Sequence, residues 1–172
     1  EPYWNGFKFL NSDGSILNEK DINFVINNSS RLTDFHKIQQ RSISEKNSEA
    51  IGRYAEFLYE IIGKENLRRI SGSNQKLILD PNGGTGAIAK KILESINVNV
   101  AGVNMAYGNF KRAVEPNQDS LIYLKNDIDE QKADFAAGFD CDADRVEILL
   151  KNGQLVSGNQ ILALIVDEML SI

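Results

Sequence analysis

One cysteine, Cys141, in a chain of 172 residues excludes an internal disulfide framework, so the fold has to be held by packing and hydrogen bonding. No apolar run approaches the length of a membrane-spanning helix. Basic charge is not in excess either. Nineteen Lys and Arg against 24 Asp and Glu leave a formal net charge of -5, without a clustered basic patch. That balance argues against nucleic acid or an anionic membrane surface as the main partner, and an anionic small molecule would need a locally built site. The only histidine, His36, lies in a polar stretch and is assigned no role. A signal-peptide pattern and an initiator methionine are both missing from the opening Glu1-Pro2-Tyr3-Trp4, which is the expected look of a piece of a longer, cytoplasmic protein.

What is present has the make-up of a globular chain, with 42% hydrophobic and 25% charged residues. Gly6 to Leu10 reads as a strand, Asn11 to Gly14 as a turn and Asn18 onward as a short helix, followed by a polar linker from Asn28 to about Lys46. A helix is expected over Ser44–Gly63, with Ser44 as N-cap and Ile51, Tyr54, Ala55, Leu58 and Ile62 on one face. Then strands and helices alternate. Strands are expected at 76–80, 98–103, 135–139 and 146–150, and helices at 87–95, 118–131 and 157–170. Leu121, Leu124 and Ile128 are the inward positions of the 118–131 helix. The alternation implies an α/β fold, a three-layer sandwich with a mainly parallel sheet flanked by helices.

Between two of those strands stands Asp140-Cys141-Asp142-Ala143-Asp144-Arg145. Like charges at alternate positions cost free energy unless a cation offsets them. A loop curving around a hard divalent ion would place one oxygen each of Asp140, Asp142 and Asp144 on it, as suits Mg²⁺. Arg145 would then stand ready for an anion beside the ion. The plain alternative is a solvated acidic turn with its own salt bridge. A calcium EF-hand is excluded, because its glycine at loop position six and glutamate at position twelve are here Arg145 and Lys151.

A second loop, Asp80-Pro81-Asn82-Gly83-Gly84-Thr85-Gly86, joins a strand to a helix, a place where backbone amides can cradle a phosphate or carboxylate. Gly84, Gly86 and Ala89 match the dinucleotide spacing, and the run also resembles the first motif of methyltransferases. Both readings want an acidic ribose partner after the next strand, where Gly102 to Ala106 stand and no acid follows until Glu115. A Walker A loop is excluded, since no Gly-Lys-Ser/Thr follows. A nucleotide cofactor and a purely structural turn both remain open at this point.

Taken in order, these segments resemble the α-D-phosphohexomutase family of phosphoglucomutases and phosphomannomutases. The aspartate loop is similar to the family's D-G-D-x-D-R metal loop, with Cys141 in the place of glycine. Leu79 to Gly86 resembles the first strand and glycine turn of the family's second domain, and Asn109-Phe110 with Glu115-Pro116-Asn117 and Leu121 resembles its later segment. Tyr3 to Lys8 looks like the stretch directly after the serine segment. The resemblance implies that residues 1–43 are the tail of domain 1 plus a linker, 44–156 are domain 2 with the metal-binding loop, and 157–172 begin domain 3.

It further implies a phosphoserine, lying upstream of Glu1, that exchanges a phosphoryl group with a hexose phosphate and interconverts the 1- and 6-phosphates through a bisphosphorylated sugar. On that reading Asp140, Asp142 and Asp144 hold Mg²⁺, and Lys8 and Arg145 are catalytic. The hexose phosphate and the remaining domains of the same protein are the partners, with substrate-binding residues unassigned. The piece by itself is expected to be inactive. Lys8 has the alternative of an ordinary surface lysine ending a strand. If the loop needs positive φ at Cys141, cysteine there costs about 1 kcal/mol or more relative to glycine. A nucleotide-cofactor enzyme such as a methyltransferase and a noncatalytic module are the rival functions.

Overall fold

The computed structural model describes residues 7–29 and 47–170. The chain divides into two units, Glu1–Glu45 and Lys46–Ile172. In the first unit, Leu10 and Ile16 pair in one isolated antiparallel bridge around a turn in which Gly14 adopts φ +86°. The strand expected over Gly6–Leu10 thus reduces, among the described residues, to that bridge. Its turn satisfies its polar groups locally, and the Asp13 carboxylate accepts from the Ser15 amide at 2.9 Å. Helix α1, Glu19–Ser29, starts where Asn18 accepts the Asp21 amide at 3.0 Å, an N-cap of the expected kind. Tyr3 to Gly6, His36 and Ser44 lie outside the described residues.

The second unit opens with α2, Asn47–Ile62, and α3, Lys64–Ser71, parted by Gly63 at φ +78°. Strand β1, Lys76–Asp80, leads through a 3₁₀ turn over Thr85–Ala87 into α4, Ile88–Ser95, and then β2, Asn99–Gly102. The helix expected over 118–131 is two pieces, α5 Gln118–Leu121 and α6 Leu124–Gln131, with Asn117 and Ser120 forming a capping box at the start. Strands β3, Phe135–Phe139, β4, Val146–Leu150, and the two-residue β5, Leu155–Val156, precede α7, Gly158–Leu170.

The five strands form one sheet in the order β2-β1-β3-β4-β5. β1 pairs in parallel with β2 and with β3, with Asp80 opposite Gly138. From β3 outward the pairing turns antiparallel, Phe139 opposite Val146, and β5 follows suit. The sandwich is therefore built on a mixed sheet, parallel through its centre. The reason is length: a parallel crossover needs a dozen or more residues, and the aspartate loop brings the chain straight back as a hairpin.

Side chains of β1 alternate between two cores, which explains its unbroken apolar run. Ile78 packs with Leu121, Leu124, Ile128, Ala136 and Leu149 beneath α5 and α6. Leu77 and Leu79 pack with Val100 and with Ala89 and Leu93 of α4 on the opposite face. Helices thus cover both faces, as the three-layer expectation requires. The inward positions expected in the 118–131 segment, Leu121, Leu124 and Ile128, are all 1% exposed or less.

Candidate metal site

Because β1, β2 and β3 run the same way, Asp80 and Asp140 leave the sheet at one edge, the carboxyl end of the parallel strands, where open α/β sheets build their sites. The loop between β3 and β4 carries Asp140, Asp142 and Asp144, and one carboxylate oxygen from each lies within 4.8 Å of the others. Asp140 is buried, whereas Asp142 and Asp144 are exposed. Asp140 Oδ1 accepts the Arg145 amide at 3.2 Å, and the Asp140 amide donates to the Arg145 carbonyl at 3.3 Å, closing the loop on itself. Burial, with the hydrogen bond to Asp144 next in weight, pushes the Asp140 carboxyl above its ordinary range. The three carboxylates are therefore crowded in a way that a cation would relieve.

The donor set fits Mg²⁺. It is all oxygen and anionic, and an octahedral shell with bonds of ~2.1 Å places its oxygens at most ~4.2 Å apart, against carboxylate oxygens that here lie within 4.8 Å of one another. Small side-chain adjustments would bring all three onto one ion, the rest of the shell being left for other oxygen ligands.

Arg145 is paired. Its Nη1 donates to Glu115, and its Nε lies 3.7 Å from both Asp140 Oδ2 and Asp144 Oδ1. The Arg145 side chain is more than half exposed, so an anion arriving at the loop can reach it. Lys8 is exposed and belongs to the N-terminal unit. The left-handed residue of the loop is Ala143, at φ +61°, and Cys141 is not among the positive-φ residues. The expected backbone cost falls two positions further along than the comparison with a D-G-D loop suggested. Burial pushes the Cys141 thiol up from its ordinary value.

The glycine loop serves the aspartate loop. Its amides are already engaged: Gly83 donates to the Asn104 carbonyl at 2.7 Å, Gly84 to Pro81 at 2.8 Å and Thr85 to Cys141 at 2.9 Å. Gly83, at φ +69°, has Ala106 O and Asn109 O within 2.8 Å of where a Cβ would be. At Gly84 a Cβ would lie 2.7 Å from the Cα of Cys141. These glycines let three backbone segments meet, and the amides of Gly83, Gly84 and Thr85 are already bonded within the protein.

Beneath both loops lies a buried polar group that sequence reasoning missed. Asp80, fully buried, pairs with Arg112 Nε at 2.6 Å, and the Arg112 side chain is 5% exposed. Asp80 also accepts from the Tyr123 hydroxyl at 2.5 Å, from Asn104 Nδ2 at 3.2 Å and from the Asn82 amide at 2.8 Å. Asn82 in turn accepts the amides of Lys111 and Arg112. The one sequence signal was an aspartate ending an apolar strand.

With this geometry in view, the comparisons with known proteins are consistent. The family model for the phosphoglucomutase/phosphomannomutase α/β/α domain II matches residues 52–153. A phosphoglucomutase/phosphomannomutase of Thermococcus kodakarensis is 27% identical over 98% of this chain and 37% of its own length. A phosphoglucosamine mutase of Prochlorococcus marinus is 30% identical over 95% of this chain and 36% of its own length. The chain thus spans little more than a third of these relatives. A solved structure titled as a putative phosphomannomutase from Thermus thermophilus superposes with a TM-score of 0.64, at 19% identity, over 83% of this chain and 32% of that one, and supports the fold. The chain belongs to the phosphoglucomutase/phosphomannomutase family, and its residues 52–153, which carry strands β1 to β4, the glycine turn and the aspartate loop, match that family's α/β/α domain II.

Proposed function

We propose that this chain is the metal-binding middle portion of a cytoplasmic phosphohexomutase, an isomerase that interconverts hexose 1-phosphate and hexose 6-phosphate through a phosphoserine and a bisphosphorylated sugar. The observation that carries the reading is the gathering of Asp140, Asp142 and Asp144 on one loop of a chain in this family. The three carboxylates would hold Mg²⁺, which when bound would supply positive charge to offset the negative charge building on a phosphoryl group in transfer. Asp140 provides the fixed, buried ligand, and Asp142 and Asp144 complete the anionic face. Arg145, released from Glu115, offers a planar fork of donors suited to a phosphate. Lys8 is the proposed group that moves the sugar-hydroxyl proton.

The phosphoserine and the sugar- and phosphate-clamping segments belong to the rest of the intact protein, so the chain alone is inactive on this reading. Positioning accounts for much of phosphoryl-transfer catalysis, and those groups supply it. Helix α7 supports a continuing domain, since Leu162, Leu164 and Met169 stand about 60% exposed. The relatives act as glucose, mannose or glucosamine phosphate mutases by name, and the hexose is left as a class.

Mn²⁺ titration followed by electron paramagnetic resonance tests the site. One equivalent should bind weakly to the chain, and Asp140→Asn, Asp142→Asn or Asp144→Asn should each lower affinity by about tenfold or more, the least that outer-shell losses bring. An Asp134→Asn control should not. Equal uptake by all variants would remove the metal assignment, and hexose-phosphate interconversion by the purified chain would remove the claim that it is inactive.

A further inference from the structure

We infer that Arg112 is a positioning residue for the aspartate loop, holding the carbonyl that precedes Asp140 so that the loop keeps its carboxylates together. The inference deepens the metal-site reading above and rests on it for its functional consequence. Arg112 comes from the irregular segment between β2 and α5, outside the loop, yet its guanidinium reaches Asp80, Phe139, Ala113 and Val114. Nε pairs with Asp80 Oδ2 at 2.6 Å, Nη2 donates to the Phe139 carbonyl at 2.5 Å, and Nη1 donates to the Ala113 carbonyl at 3.0 Å. Asp80 ends β1 and Phe139 ends β3, so one planar group ties together the carboxyl ends of two parallel neighbours.

The chemistry argues for position over stability. A buried ion pair costs several kcal/mol to desolvate, and its attraction offsets this only in good geometry. Here the geometry is good: Asp80 has four donors, and the guanidinium spends its remaining N–H groups on carbonyls. Lysine would satisfy Asp80 as a point charge but could not span the carboxylate and the Phe139 carbonyl together. The peptide entering Asp140 is therefore held from below by Arg112, while the Thr85 amide holds the carbonyl two residues on, that of Cys141, from the side. Outer partners of this kind set the orientation of metal ligands.

The test compares the wild-type chain with Arg112→Lys, which keeps the charge opposite Asp80 and loses the fork. Amide hydrogen exchange is read at Thr85, Asp140 and Arg145 of the loop contacts and at Ile78 and Leu79 of β1, and Mn²⁺ affinity is measured alongside. The expected result is exchange about tenfold faster at the loop with β1 protection kept, and Mn²⁺ affinity lower by about tenfold or more. Unchanged loop exchange and affinity in the folded variant overturns the inference. So does loss of β1 protection in step with the loop, or failure to fold, since Arg112 would then be a general element of the fold. If the wild-type chain takes up no Mn²⁺, the metal reading falls separately, and loop exchange still decides whether Arg112 positions the loop.

Discussion

The carbonyl of Cys141 accepts the Thr85 amide at 2.9 Å, joining the turn after β1 to the loop after β3. The contact exists because Gly84 has no side chain. A Cβ there would lie 2.7 Å from Cys141 Cα and 2.8 Å from its carbonyl carbon, both backbone atoms that cannot rotate away.

Gly84→Ala should therefore push the two loops apart. Overpacking of this kind costs about 1–3 kcal/mol. Urea unfolding should show a lower midpoint with an unchanged slope, and Mn²⁺ affinity should fall with it. A variant as stable as wild type would mean that the loops separate without loss.

Ala143 is the residue that bears the left-handed turn of the aspartate loop, at φ +61°. An L-residue in that region costs about 1–2 kcal/mol, and glycine gives back about 0.4–1 kcal/mol through its freer unfolded chain. Ala143→Gly should be mildly stabilising, by up to about 1.6 kcal/mol on the same figures. Cys141→Gly should destabilise, because Cys141 has no positive φ to relieve. Thermal midpoints of the two variants should move in opposite directions.

Tyr123 is set for an alkaline transition. Burial, and then its hydrogen bond to the Asp80 carboxylate, raises the phenol pKa well above its ordinary value. The folded state thus favours the protonated phenol. Its contribution to stability is complete below an ordinary tyrosine pKa of about 10 and is lost as pH rises through the higher folded value. Tyr123→Phe should cost about 1.5–3 kcal/mol at neutral pH, because the hydroxyl donates to the Asp80 carboxylate and accepts from Asn104 Nδ2. Above pH ~10 its stability should decline less steeply than that of wild type, by urea midpoints against pH. Parallel decline in both proteins would exclude Tyr123 as the source.

Local patterns carried the expectations that held. β1 at Lys76–Asp80 and the strands on either side of the aspartate loop show as short apolar runs, and the inward positions of α5 and α6 follow helical spacing. Two elements escaped for the same physical reason. α3, Lys64–Ser71, is only two turns long with Leu67 and Ile70 as its apolar positions, and the two-residue β5 is too short to alternate.

The gathering of Asp140, Asp142 and Asp144 was legible because three carboxylates at alternate positions of one short loop lie near one another wherever the loop sits. The supports of that loop were not. Asp80 meets Arg112 across 32 residues, Glu115 meets Arg145 across 30 and Thr85 meets Cys141 across 56. No periodicity joins such positions, since sheet order and the parallel register of β1 with β3 bring them together. The sequence by itself determined the elements and the charge pattern, because both arise from neighbours in the chain. Only the tertiary structure decided that the glycine turn clasps the aspartate loop, and that a buried arginine ties together the strand ends from which both depart.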